Sequence, residues 1–141
     1  MEFPKKKASQ YSPLVLAYIG DSVYEVYVRT RIIAENPDLP AHKLHKLAIG
    51  YVKAHAQSNS ITGLEDKLTE SELAIYKRGR NAKSATVPKN ADLTDYRRAT
   101  GFEALVGYLY MSGENERLDY IMEAAYNSAA EKEISTDGIN I

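Results

Sequence analysis

Asp21 and Glu103 each stand as a lone carboxylate inside an apolar, helix-like stretch. The first stretch reads Pro13-Leu-Val-Leu-Ala-Tyr-Ile-Gly-Asp21-Ser-Val-Tyr-Glu-Val-Tyr-Val28, the second Ala99-Thr-Gly-Phe-Glu103-Ala-Leu-Val-Gly-Tyr-Leu-Tyr-Met111. An ionised carboxylate is seldom buried unless it is paired, hydrogen-bonded or bound to a cation. Two of them on separate apolar helices point to a fold that gathers oxygen ligands around an ion. Carboxylates and waters suit Mg²⁺ or Mn²⁺, and such ions activate water and neutralise a phosphodiester. The alternative stays open: a single Asp on an apolar helix is also what a hydrogen-bonded structural residue looks like, and spacing alone does not bring Asp21 to Glu103.

Neighbouring residues carry the same two meanings. Glu25 shares a helix face with Asp21 at the i, i+4 spacing and can equally pair with Arg29, four residues further on. Thr100, Glu103 and Gly107 share a face of the later helix. Gly20 and Gly101 interrupt their helices at a cost, which close approach of a ligand or simple helix packing would each explain. His42, His45 and His55 lack a cysteine or an HExxH pattern beside them, so they are expected to be surface or RNA-facing residues rather than metal ligands. The 11 tyrosines are expected mostly in the core with a polar tip.

A second candidate site is the segment Lys77-Arg-Gly-Arg-Asn-Ala-Lys-Ser-Ala-Thr-Val-Pro-Lys-Asn90. Arg78, Arg80, Lys83 and Lys89 on a loop mixed with Asn, Ser and Thr suit phosphate-backbone contact. A solvated charged face is the plainer alternative. No aromatic residue lies between the charges, so a duplex backbone fits better than stacking on single strands. The net charge of −1 hides this segment: residues 77–98 carry seven basic side chains against two acids, and residues 113–141 carry seven acids against two bases.

The elements that must position these residues read as helices throughout. Ser12 caps and Pro13 opens a helix to about Asn36, where Pro37 ends it. A second helix is predicted from after Pro40 to about Ser58, and a short one over 61–68. Thr69-Glu-Ser-Glu72 has the form of a capping box for a helix fading near Lys77, followed by a loop over 79–91. Asp92 or Thr94 caps the next, which ends at Gly113. The last covers about 114–132, with 135–141 a frayed tail. No alternating strand pattern or repeat interrupts them, so an all-α bundle of one domain over 1–141, with its core at about 12–132, is expected. At 141 residues and 44% hydrophobic content the chain can bury a proper core. It has no cysteine, and its apolar run is too interrupted for a signal peptide or membrane span. A cytoplasmic protein, not a membrane one, is expected.

Leu16-Ala-Tyr-Ile-Gly-Asp21-Ser-Val-Tyr-Glu-Val26 resembles the signature helix of ribonuclease III catalytic domains, and Phe102-Glu-Ala-Leu-Val-Gly-Tyr-Leu109 their second acidic helix. Arg78-Gly-Arg-Asn-Ala-Lys-Ser84 with Pro88-Lys-Asn90 and Tyr96-Arg97 is similar to the mini-ribonuclease III branch. These matches run in order from about Leu14 to Tyr110. The resemblance implies an all-α endonuclease that homodimerises and cleaves double-stranded RNA with Mg²⁺, Mn²⁺ being a possible substitute, leaving 5′-phosphate and 3′-hydroxyl ends. It makes Asp21 the catalytic aspartate and Glu103 the metal-binding glutamate. It also implies trimming of precursor large-subunit (23S) ribosomal RNA, and no separate double-stranded-RNA-binding domain. Two family carboxylates are replaced, by Ala17 and Thr100, a loss the mini branch tolerates. That loss motivates one rival, a non-catalytic RNA-binding module on the same fold. The other rival is an all-α nucleotide pyrophosphohydrolase, whose clustered acidic motifs these helices lack.

Overall fold

In the computed structural model residues 6–83 and 87–139 are described, with side chains as far as residue 131. The expected domain limits at residues 1 and 141 therefore lie outside the described residues. After a 3-10 turn at Ala8–Gln10 come six helices: α1 (Pro13–Glu35), α2 (Ala41–Val52), α3 (Ala54–Thr62), α4 (Glu70–Asn81), α5 (Leu93–Met111) and α6 (Asn115–Ile139). The fold is all-α, and no strand occurs among the described residues.

Local chemistry sets most of the boundaries. The Ser12 hydroxyl accepts from the Val15 amide at 3.3 Å, with Pro13 at the first helical position. Thr69 and Glu72 complete the capping box of α4 reciprocally. Asp92 caps α5 by accepting from the Asp95 amide at 2.9 Å, and Gly113, with φ of 71°, follows its end.

Four expected boundaries differ. The helix anticipated over 41–58 is two helices, because Lys53 is extended (φ −63°, ψ 152°). The break turns α3 so that Gln57, Ser58, Ser60 and Ile61 face inward. The helix expected over 61–68 shrinks to the end of α3 and a 3-10 turn at Glu65–Lys67. Helix α4 continues to Asn81 instead of fading near Lys77, since Gly79 packs directly on α5 and tertiary contact outweighs its poor helix propensity. Helix α6 likewise runs on to Ile139, past the expected frayed end.

Helix α5 is the central element. Phe102, Ala104, Leu105 and Val106 are fully buried and Leu109 nearly so, which requires neighbours on almost every side. Helices α1, α3 and α4 supply them, with α6 completing the bundle. Against α1 the approach is backbone to backbone: a Cβ placed at Gly20 would overlap the Glu103 carbonyl oxygen, and one at Gly107 the Leu16 carbonyl oxygen. Against α4, a Cβ at Gly79 would come within 2.9 Å of the Gly101 Cα. Gly20 and Gly101 are therefore explained by helix packing.

At the far end, Arg31 lies 4.4 Å from the Tyr126 ring centroid, and Tyr126 stacks on Tyr51 at 4.4 Å. The Tyr126 hydroxyl donates to Glu35 at 2.8 Å. These contacts tie the end of α1 to α2 and α6. Between α4 and α6, the buried Glu72 carboxylate takes two hydrogen bonds from Arg117, at 2.7 and 2.9 Å.

Two stability predictions follow from these contacts. Gly107→Ala must separate α1 from α5, and is expected to cost about 2–3 kcal/mol in urea unfolding; an unchanged midpoint would contradict the backbone contact. Arg117 holds the Glu72 carboxyl below the usual glutamate range, its hydrogen bond outweighing the opposing effect of burial. With a depressed folded-state pKa, the stabilisation is present above the unfolded value near pH 4 and disappears as pH falls through the lower folded value. Glu72→Gln is thus expected to lose about 1–3 kcal/mol at pH 7 and to show a shallower acid-side decline than wild type.

Candidate active site

The α1–α5 crossing puts two side chains side by side. Asp21 directly follows Gly20, and Glu103 lies one turn before Gly107, so the glycine contacts that join the backbones flank both carboxylates. Asp21 is exposed and Glu103 partly buried, and the two carboxyl groups are within hydrogen-bonding reach of each other. The Glu103 carboxyl is pushed up to about 8, first by burial, then by the charge of Asp21 and the hydrogen bond to it; a hydrogen bond from Gln57 offsets part of this. Two carboxylates so close need a shared proton or an intervening cation. A small divalent ion that keeps several waters takes one or two carboxylates, so this donor set fits Mg²⁺.

The neighbouring positions add no further carboxylate. No group of three or more His, Asp or Glu able to hold a metal occurs among the described residues. Ala17 is buried with Leu16, Ile75 and Ala104. The Thr100 hydroxyl donates to the Tyr96 carbonyl at 2.9 Å, within its own helix. Glu25 pairs with Arg29 at 3.0 Å, the plainer of its two expected roles.

Helix α3 forms another wall of the site. Gln57 is only 2% exposed; its Nε2 donates to the Val52 carbonyl at 2.9 Å, and its side chain lies near enough to Glu103 to favour the charged form of that carboxyl. Gln57 went unnoticed in the sequence, because nothing in a run of Ala, Gln, Ser and Asn marks which polar residue turns inward. Nearer the start of α5, the His55 ring sits 2.8 Å from an Asp95 oxygen and 3.1 Å from the Asn59 amide. His42 and His45 are exposed on α2.

The basic residues do not form one loop cluster. Arg78 and Arg80 lie on α4, not on a loop. Arg78 donates to the Ser9 carbonyl at 3.3 Å, securing the N-terminal 3-10 turn. Arg80 lies 5.7 Å from the Tyr76 ring centroid and, with Arg97 and Arg98, lines an open polar pocket that also holds Glu65, Asn81 and Thr94. Lys83 and Lys89 are exposed on either side of residues 84–86, which lie outside the described residues. On the wheel of α5, Arg97 and Arg98 point well away from Glu103, so this pocket and the carboxylate pair occupy different sides of that helix. No described helix is long and apolar enough to cross a membrane.

The model of the ribonuclease III domain matches residues 14–114, which include both carboxylates and the whole α1–α5 crossing. Mini-ribonuclease 3 of Clostridium tetani is 53% identical over 89% of this chain and 83% of its own length. The protein of the same name from Thermoanaerobacter is 52% identical over 84% of this chain and 83% of its own. A crystal structure of a Fusobacterium nucleatum protein superposes with a TM-score of 0.75 at 28% identity, covering 84% of this chain and 94% of that one. With the glycine crossings and the paired carboxylates all inside the matched span, the chain belongs to the ribonuclease III family, in its mini-ribonuclease III branch, and is an endoribonuclease.

Proposed function

We propose that this protein is a Mg²⁺-dependent endoribonuclease that cuts double-stranded RNA through Asp21 and Glu103. The observation that carries this reading is the contact between those two carboxylates at a backbone-to-backbone helix crossing, with Glu103 raised to about 8. A site selected only for stability would not keep two acids together at that cost. Asp21 and Glu103 would hold the ion, Mg²⁺ or in its place Mn²⁺. When bound, such an ion supplies a nucleophilic hydroxide near neutral pH and offsets charge developing on the phosphate. The two side chains orient the site, and the rigid crossing keeps them from drifting apart. Hydrolysis of the P–O3′ bond leaves 5′-phosphate and 3′-hydroxyl ends.

Arg80, Lys83 and Lys89, with Arg78 beside them, would engage the RNA backbone. Arg78, Lys83 and Lys89 are exposed and Arg80 half-buried; their excess positive charge supports this role, and the affinity they contribute should weaken as salt rises. A second copy of the chain is the expected partner. Leu14, Val15 and Tyr18 are 38%, 51% and 80% exposed on the outer face of α1, and Leu14, Tyr18 and Asp21 follow one another along a single helix face. A homodimer packed there would cover this apolar stripe and set two active centres beside one duplex. Precursor large-subunit (23S) ribosomal RNA, met in the cytoplasm, is the substrate that the resemblance of the Asp21 and Glu103 helices and of the basic segment to the mini-ribonuclease III branch implies.

Two outcomes are expected. Asp21→Asn abolishes Mg²⁺-dependent cleavage of a labelled RNA duplex while leaving the circular dichroism spectrum unchanged; undiminished cutting would refute the assignment, and wild-type binding without cutting in either ion would favour a non-catalytic RNA-binding module. In chelator at pH 8.5, Glu103→Gln removes a charge that is disfavoured beside Asp21, so the variant is expected to gain about 1–2 kcal/mol in urea unfolding. Because the folded-state pKa is raised, that advantage grows as pH rises from near 4 through about 8; a variant less stable than wild type at pH 8.5 would contradict it.

A further inference from the structure

Gln57 has an arrangement that packing alone does not account for. It is 2% exposed and sits on the inward face of α3. An apolar side chain would fill the same space without burying an amide, which costs free energy wherever a hydrogen bond is left unmade. One end of that amide is satisfied: Nε2 donates to the Val52 carbonyl at 2.9 Å. Val52 is the last residue of α2, and the extended Lys53 that follows breaks the helix. Gln57 therefore straps the break. The same side chain reaches Glu103, whereas its Oε1 is buried with no hydrogen-bond partner. A clamped donor end, a contact to the candidate ligand and an unsatisfied acceptor together make this amide part of the site.

We infer that Gln57 is a positioning residue for the Asp21–Glu103 centre, anchored by the Val52 carbonyl and orienting the Glu103 carboxylate toward the cation. The inference rests on the proposed cation site. Replacing a residue that orients a metal ligand through a hydrogen bond commonly costs about 10–100-fold in metal affinity or activity. This role would also explain why the chain divides α2 from α3: a continuous helix would leave Val52 no free carbonyl to hold the amide.

The test compares wild type, Gln57→Met, Gln57→Leu and Asp21→Asn, each as the full chain. Mn²⁺ affinity is measured by electron paramagnetic resonance titration, alongside thermal unfolding in chelator and KM for an RNA duplex. Both Gln57 variants are expected to bind Mn²⁺ about 10–100-fold more weakly, with Tm in chelator no lower and KM for RNA unchanged. Wild-type Mn²⁺ affinity in both variants, with binding lost in Asp21→Asn, would overturn the role of Gln57 and leave the cation site standing. Weakened binding that tracks a fall in Tm would make Gln57 a packing residue and overturn it too. Wild-type binding absent, or unaffected by Asp21→Asn, would remove the cation site and this inference with it.

Discussion

Helices α1 and α5 touch through their backbones, and much of the molecule is arranged around that contact. Gly20 and Gly107 leave no room for a β-carbon, since each would collide with a carbonyl oxygen of the opposite helix. Such an approach brings Leu16, Ala17 and Ala104 into one small cluster and makes α5 a core helix buried on nearly every side. It also fixes the spacing of whatever stands beside the glycines. Asp21 and Glu103 stand there. Two long helices crossing at side-chain distance would let these carboxylates swing apart; a backbone crossing holds them together.

Holding them together opposes ordinary electrostatics. Glu103, partly buried and facing Asp21, keeps its proton to about pH 8, well above a free glutamate. The rest of the fold supplies the compensation: the Glu72–Arg117 pair, the aromatic contacts of Tyr51 and Tyr126, and the apolar interior around Phe102 and Leu105. Stability invested in the scaffold and strain retained at one polar point is the arrangement expected of an active site. Helix α3 contributes from a third direction, because the break at Lys53 turns Gln57 inward to meet Glu103.

The caps and apolar periodicity of the sequence were enough to read the all-α architecture, the starts of α1, α4 and α5 and the end of α5. Ser12, Thr69, Glu72 and Asp92 act locally, and their bonds join residues three apart. The break between α2 and α3 was not legible, because Lys53 carries no Gly or Pro signal and its extended backbone is set by how α3 docks on α5. Nor was the continuation of α4 through Gly79, where packing against Gly101 overrides propensity. The carboxylates could be picked out as charges on apolar helices, but their meeting depends on the glycine crossing. Gln57 was invisible, since its burial is a consequence of the unforeseen break. Arg78 and Arg80 were correctly seen as basic, yet assigned to a loop that is helix.

The most direct measurement is anomalous X-ray diffraction from crystals of the protein grown with Mn²⁺. The account predicts one strong anomalous peak per chain between the carboxylates of Asp21 and Glu103, absent in crystals of Asp21→Asn. A Mn²⁺ site elsewhere on the chain, with no peak at Asp21 and Glu103, would contradict it.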